Sequence, residues 1–141
     1  MRISRFLIAA GTALAIAITM SVSPLAQAKT DEDYDKLMKA VGAANGAMRG
    51  AAKEQKAEGV TVEAKKLVAL FKDAQAFWTA RSNAEAAEWA GAAMNHAAAI
   101  EKAGSDMTAA MGAMKELGGT CQTCHAKYRD KDAYGFVIKK G

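Results

Sequence analysis

The sequence predicts an all-α fold, an antiparallel up-down-up-down four-helix bundle. Three observations lead there. After Pro24 the chain has no proline and is mostly Ala, Lys, Glu, Met and Leu, the residue types that lose least conformational freedom in a helix. Apolar residues recur at three- and four-residue spacings over four successive stretches, with no alternating β-branched run that would argue for a sheet. The connections between those stretches are short, which favours antiparallel neighbours.

The first helix is expected to begin at Thr30-Asp31-Glu32-Asp33, where a hydroxyl cap followed by carboxylates complements the free N–H groups and the positive helix end. Tyr34, Leu37, Met38, Val41 and Met48 share one face, and the helix is expected to fade near Lys56-Ala57-Glu58-Gly59. Thr61 is the expected cap of a second helix whose Leu67, Leu70, Phe71, Ala74, Phe77 and Trp78 follow the helical repeat. Ser82-Asn83-Ala84-Glu85 reads as a capping box that starts a third helix, with Trp89, Ala93, Ala97 and Ile100 inward and a stop at Gly104. Ser105-Asp106 opens the fourth, where Met107, Ala110, Met111, Met114, Leu117, Cys121, Cys124, His125 and Tyr128 run down one stripe. Gly118-Gly119 interrupts it, at about 1 kcal/mol per glycine relative to alanine. The pair reads either as a kink or frayed turn, or as a place where a flat cofactor approaches the backbone. The tail from Tyr134 to Gly141 runs past the expected end of this helix; it is expected to lie over the end of the bundle and has no assigned function.

Upstream of the helices, Arg2 and Arg5 precede an apolar run that ends at Ala26-Gln27-Ala28. Basic start, apolar middle and a small-x-small triplet are the layout of a cleaved secretory signal, so residues 1–28 are expected to be a leader and 29–141 one domain. A retained anchor fits less well, because Gly11, Thr12, Thr19 and Ser21 interrupt the apolar run. The leader holds two of the 19 basic residues and none of the 15 acidic ones, so its removal lowers the formal net charge from +4 to +2. Nucleic-acid binding thereby loses its main support.

The chemistry is concentrated in Cys121-Gln122-Thr123-Cys124-His125, which holds the only two cysteines of the chain. On a helix, positions i, i+3 and i+4 share a face, so both thiols and the imidazole project together. C-x-x-C-H is the attachment pattern of a c-type haem: two thioether bonds fix the porphyrin and the histidine binds iron from the proximal side. Three other readings of the motif stand beside it. Zinc needs about four ligands and the chain offers only His96 in addition. A redox dithiol belongs near a βαβ pattern with its first cysteine at a helix start. A simple disulfide suits an oxidising compartment but leaves His125 unexplained on a buried face.

Cys121-Gln122-Thr123-Cys124-His125-Ala126-Lys127-Tyr128-Arg129 resembles the C-x-x-C-H-x-x-[YF]-R ending of class II cytochromes c, the cytochrome c′ family. The resemblance extends over essentially the whole of residues 29–141, although only this ending is highly specific. It implies a periplasmic haem protein with Cys121 and Cys124 as thioether anchors and His125 as proximal ligand. In the family, the residue facing the sixth coordination position stands eight before a glycine and ten before a methionine. Counting back from Gly46 and Met48 reaches Met38. A methionine there implies the low-spin, electron-carrying branch, and a Met/His pair raises the reduction potential. Met38 also reads as a core residue, and His96 is the other conceivable sixth ligand. Met107, Met111 and Met114 share the haem-bearing helix and so stand on the wrong side. High-spin members often carry an arginine four residues before the distal position; here that place is Tyr34. Arg129, four residues after His125, is expected beside the proximal haem face or a propionate, or else is a solvated charge. Trp78, Trp89 and Phe77 are expected to build the core around the porphyrin.

The expectation is therefore a periplasmic monohaem c-type cytochrome with one covalent haem c, carrying single electrons between redox partner proteins. It is not expected to be an enzyme, to bind nucleic acid, or to stay in the membrane after signal cleavage. Dimerisation through the first two helices, as in family members, stays open. The competing reading is a five-coordinate cytochrome c′ that binds nitric oxide or carbon monoxide.

Overall fold

Thr30 opens the first helix in the computed structural model, which describes Ala28 and residues 30–139; the expected leader up to residue 27 lies outside the described residues. The Thr30 hydroxyl accepts from the Asp33 N–H and the Asp33 carboxylate accepts from the Thr30 N–H, both at 3.1 Å. This reciprocal cap starts α1, Asp31–Lys53. The helix stops three residues earlier than the expected break, at a turn in which Gln55 takes a left-handed φ of 56°.

Helix α2, Ala57–Ala80, starts four residues before Thr61, so Thr61 is not its cap. The Thr61 hydroxyl instead donates back to the Ala57 carbonyl at 3.0 Å. Gly59 lies in the first turn of α2 and breaks nothing. A Cβ there would sit 2.9 Å from the Ala51 Cβ, so the glycine is the surface on which the end of α1 closes against the start of α2.

Helix α3, Ala84–Ala103, is capped by Asn83, whose Oδ1 accepts from the Ala86 N–H at 3.0 Å. Ser82 is displaced from the expected capping box because it sits in the turn at φ 55°. Glu85, its expected partner, is engaged elsewhere, by Lys127 and Tyr128. The helix ends at Gly104 as expected, with φ 57°.

Asp106 caps α4, Met107–Tyr128, which runs unbroken through Gly118-Gly119. Two glycines cost a helix propensity, not its hydrogen bonds, and the flanking Thr120 and Thr123 hydroxyls donate to carbonyls one turn back. Most of the expected stripe faces inward, but Met111 is 57% exposed.

The tail forms an element the sequence did not suggest. Strands β1, Arg129–Asp132, and β2, Gly135–Ile138, pair as an antiparallel hairpin. Its turn is held by Asp132 Oδ1, which accepts from the N–H groups of Tyr134 at 2.8 Å and Gly135 at 3.0 Å. The Lys139 N–H donates to the Tyr128 carbonyl, and Ile138 packs against the Tyr34 and Trp78 end of the bundle. The hairpin tip is exposed, with Tyr134 fully in solvent.

The four helices form an antiparallel bundle. The first turn of α1 meets the last turn of α2 through Tyr34 on Phe77 and Asp31 on Arg81. The first turn of α3 meets the last turn of α4 through Glu85. Close backbone packing joins α1 to α2, α2 to α3 and α3 to α4, and no comparable run of close backbone packing joins α1 to α4. The core has two clusters: one around Met48, Leu67, Ile100 and Leu117, the other around Leu37, Phe77 and Trp78. Met38 and Leu70 touch both. Among the described residues no helix is long and apolar enough to cross a membrane.

Candidate functional site

The loosely closed seam between α1 and α4 leads to the residues singled out in the sequence. Helical phase puts Cys121, Cys124 and His125 on the inward face of α4, each half-buried. All three line one cavity with Thr120 of α4 and with residues from each of the other helices. Helix α1 contributes Tyr34, Met38 and Val41; α2 contributes Phe71 and Ala74; α3 contributes Trp89, Ala90 and Ala93. Met38 and His125, far apart in sequence, thus meet at the same walls.

The two sulfurs are free thiols. Burial raises both above the ordinary thiol range, Cys124 to about 11 with the neighbouring Cys121 and Glu85 adding to the effect. For Cys121 the Arg49 guanidinium opposes that shift without cancelling it. An activated dithiol needs the opposite, a thiol lowered by positive surroundings. Burial, with the Arg129 charge, lowers His125 below its ordinary value, so at neutral pH the imidazole is neutral and has a nitrogen lone pair to offer.

The remaining expected site residues take different places. Arg129 follows the last helical residue and does not line the cavity; its guanidinium lies 4.1 Å from the centre of the Phe136 ring. It borders a separate, open groove shared with His125, Gln122 and Lys131. His96 is half-buried on α3 and lies away from the cavity lining. Trp89 is in the lining, whereas Phe77 and Trp78 stand behind Tyr34.

Two residues gained importance that sequence alone did not give them. Arg49 reaches from α1 toward α4, close enough to lie 3.5 Å from a Cβ built on Gly118. Tyr34 brings the main hydroxyl of the α1 wall. Its oxygen accepts from the Trp78 indole N–H at 2.9 Å, and burial pushes its phenol up to about 12. The helical repeat put Tyr34 on the inward face but marked neither its bond to Trp78 nor Arg49, because each depends on a partner more than forty positions away.

The sulfur and imidazole donors that line the cavity are two thiols, one imidazole and one thioether. Among the described residues no group of three or more His, Cys, Asp or Glu side chains could hold a metal ion. A porphyrin brings four of the iron's donors with it, so the protein need supply only an axial pair. The cavity encloses about 40 Å³, near the volume of one water. A macrocycle there requires α1 and α4 to stand further apart, and these are the two helices that close backbone contact does not hold together.

No family model matches the chain, and no curated protein matches it.

Proposed function

We propose that the chain is an exported monohaem c-type cytochrome that carries single electrons between periplasmic redox partners. The observation that supports this most is the convergence of Cys121, Cys124 and His125 from α4 and Met38 from α1 on one apolar cavity. When bound, the haem supplies a one-electron iron couple, whose potential the protein sets through the axial pair and the dryness of its surroundings. Cys121 and Cys124 would anchor the macrocycle through thioether bonds, and His125, with its neutral imidazole, and Met38, with its thioether, would hold the iron. Val41, Phe71, Ala74, Ala90 and Ala93 keep water from the pocket. Arg129 borders the open groove with His125, where its charge adds to burial in lowering the imidazole and faces any partner that docks there. The chain belongs to the class II arrangement of cytochrome c′ in this reading, in its low-spin branch.

Absorption spectra in both oxidation states, on protein made in a host with active cytochrome c maturation, test this directly. The expected result is a pigment that stays on the chain under denaturing conditions and is lost when Cys121 and Cys124 are both changed to Ala. A low-spin ferric spectrum supports the Met/His pair. A high-spin spectrum moves the protein to the gas-binding branch, and a colourless product removes both haem readings.

A further inference from the structure

Behind the cavity wall stands a chain of rings that electron carriage through the haem does not need. Tyr34 lines the cavity and stacks on Phe77 with 4.3 Å between centroids. Its hydroxyl accepts from the Trp78 indole, and the two rings stand edge to face at 5.3 Å. Trp78, 4% exposed, lies 5.4 Å from the ring of Tyr128. The Tyr128 hydroxyl donates to Glu85 Oε2 at 2.6 Å, and that carboxylate, half-exposed, also pairs with Lys127. The series runs from a buried wall to the surface without a gap wider than ring contact.

We propose that Tyr34, Trp78 and Tyr128 form a radical relay that carries oxidising equivalents from the cavity to the surface, with Glu85 as the proton acceptor at its outer end. Electron transfer falls steeply with distance, so rings in contact pass an electron far faster than the same span crossed in one step. Tyrosine and tryptophan are the side chains whose one-electron oxidation leaves a radical stable enough to hand on. A phenol gives up an electron readily only if its proton leaves too. Tyr128 has an acceptor in place for it.

Hydrogen peroxide takes one electron from the carrier at the cavity, and its O–O bond breaks to give hydroxide and a hydroxyl radical. That radical takes one electron from Trp78 by way of Tyr34 and becomes hydroxide. Tyr128 refills Trp78 with one electron. The Tyr128 O–H bond breaks, its proton passes to the Glu85 carboxylate, and a neutral phenoxyl radical remains at the surface. Lys127 and Tyr128 hold the Glu85 carboxyl below its ordinary value, which weakens it as a base, but an oxidised phenol is a strong acid and the transfer stays downhill. The relay thereby draws oxidising power away from Met38, whose conversion to a sulfoxide would destroy it as a soft ligand.

The relay rests on the haem reading for where the oxidant arises and for the ligand role of Met38 that it protects. Trp89 is the competing route, since it lines the cavity and lies beside Glu85. The test is freeze-quench electron paramagnetic resonance on the full chain carrying Tyr134→Phe, which removes the fully exposed tyrosine. Hydrogen peroxide is the oxidant if the absorption spectrum shows haem; a ruthenium photo-oxidant attached to Cys121 takes its place if it does not. The spectrum thus reports on the haem reading, and the radical reports on the relay. A phenoxyl signal is expected that disappears in Tyr128→Phe, falls several-fold in Trp78→Phe and in Glu85→Gln, and persists in Trp89→Phe. Tyr128 and Glu85 lie at the surface, so their variants keep the fold even if Trp78→Phe does not. An unchanged signal in Tyr128→Phe, or a signal lost in Trp89→Phe but not in Trp78→Phe, overturns the proposal.

Discussion

At Met38 the two readings of the iron's sixth position part. Met38→Leu keeps nearly the same volume, a swap that costs under about 1.5 kcal/mol, while it removes the thioether sulfur. In the loaded protein the ferric spectrum should shift from low to high spin and the reduction potential should fall on the order of 0.1 V, inside the ~0.8 V that axial ligands span. Redox titration with spectra at each point measures both. An unchanged spectrum would remove Met38 as the ligand. The glycines make a second comparison at this scale. A Cβ at Gly59 would stand 2.9 Å from the Ala51 Cβ, whereas one at Gly119 would meet nothing within 4 Å. Gly119→Ala should therefore gain about 1 kcal/mol of helix propensity. Gly59→Ala gains the same propensity but overpacks the α1 to α2 corner, at about 1–3 kcal/mol, and should be destabilised on balance. Denaturant midpoints of the two variants should move in opposite directions.

The helices themselves depend on their ends, and one of those ends carries a pH dependence. Glu85 in the first turn of α3 holds Lys127 and Tyr128 in the last turn of α4. Those two partners keep its carboxyl below the ordinary 4.5 in the folded chain. A depressed folded value means that the unfolded chain binds the proton first. The stability Glu85 contributes is present above about pH 4.5 and is lost as the pH falls through the folded value. In Glu85→Gln the acid limb of an unfolding curve should be shallower below that pH, and the curve above it should lie lower. Equal acid limbs would show that the link is not linked to folding. This contact also marks the limit of what the sequence made legible. Helix starts with a side-chain acceptor three residues ahead, Thr30 and Asp106, were readable because the cap is local. Ser82 and Glu85 had the pattern of a capping box, yet a partner 42 residues away took the carboxylate and Asn83 took the cap. Gly59 was misread as a break, and Gly118-Gly119 do not kink or fray α4, for a related reason: whether a glycine breaks a helix or admits a neighbour depends on that neighbour. The hairpin escaped notice because Phe136-Val137-Ile138 is too short a run to show alternation.

For the whole molecule, the bundle was legible from periodicity and short connections, and so was the shared face of Cys121, Cys124 and His125. The seam was not, because periodicity says which face a helix buries and not how closely two helices then approach. Its consequence is an uneven distribution of stability. Helices α2 and α3 are each packed on two neighbours, whereas α1 and α4 each have one close helical neighbour. Local opening follows the density of buried contacts, so α1 and α4 should open at lower free energy than α2 and α3. Leu67 and Ile100, fully buried on α2 and α3, should be the last to lose protection. A ligand that binds only the folded state adds stability, and one that bridges two elements adds most to those elements. In the proposed reading, a haem anchored at Cys121 and Cys124 and ligated by His125 and Met38 would join α4 to α1 across the seam. Hydrogen exchange read by mass spectrometry, on the loaded protein and on the Cys121→Ala, Cys124→Ala variant, should therefore show slower exchange on loading concentrated in Asp31–Lys53 and Met107–Tyr128. Equal slowing in all four helices would mean that the cofactor stabilises the bundle as one unit. No change in Asp31–Lys53 would separate α1 from the site, and with it Met38 from the iron.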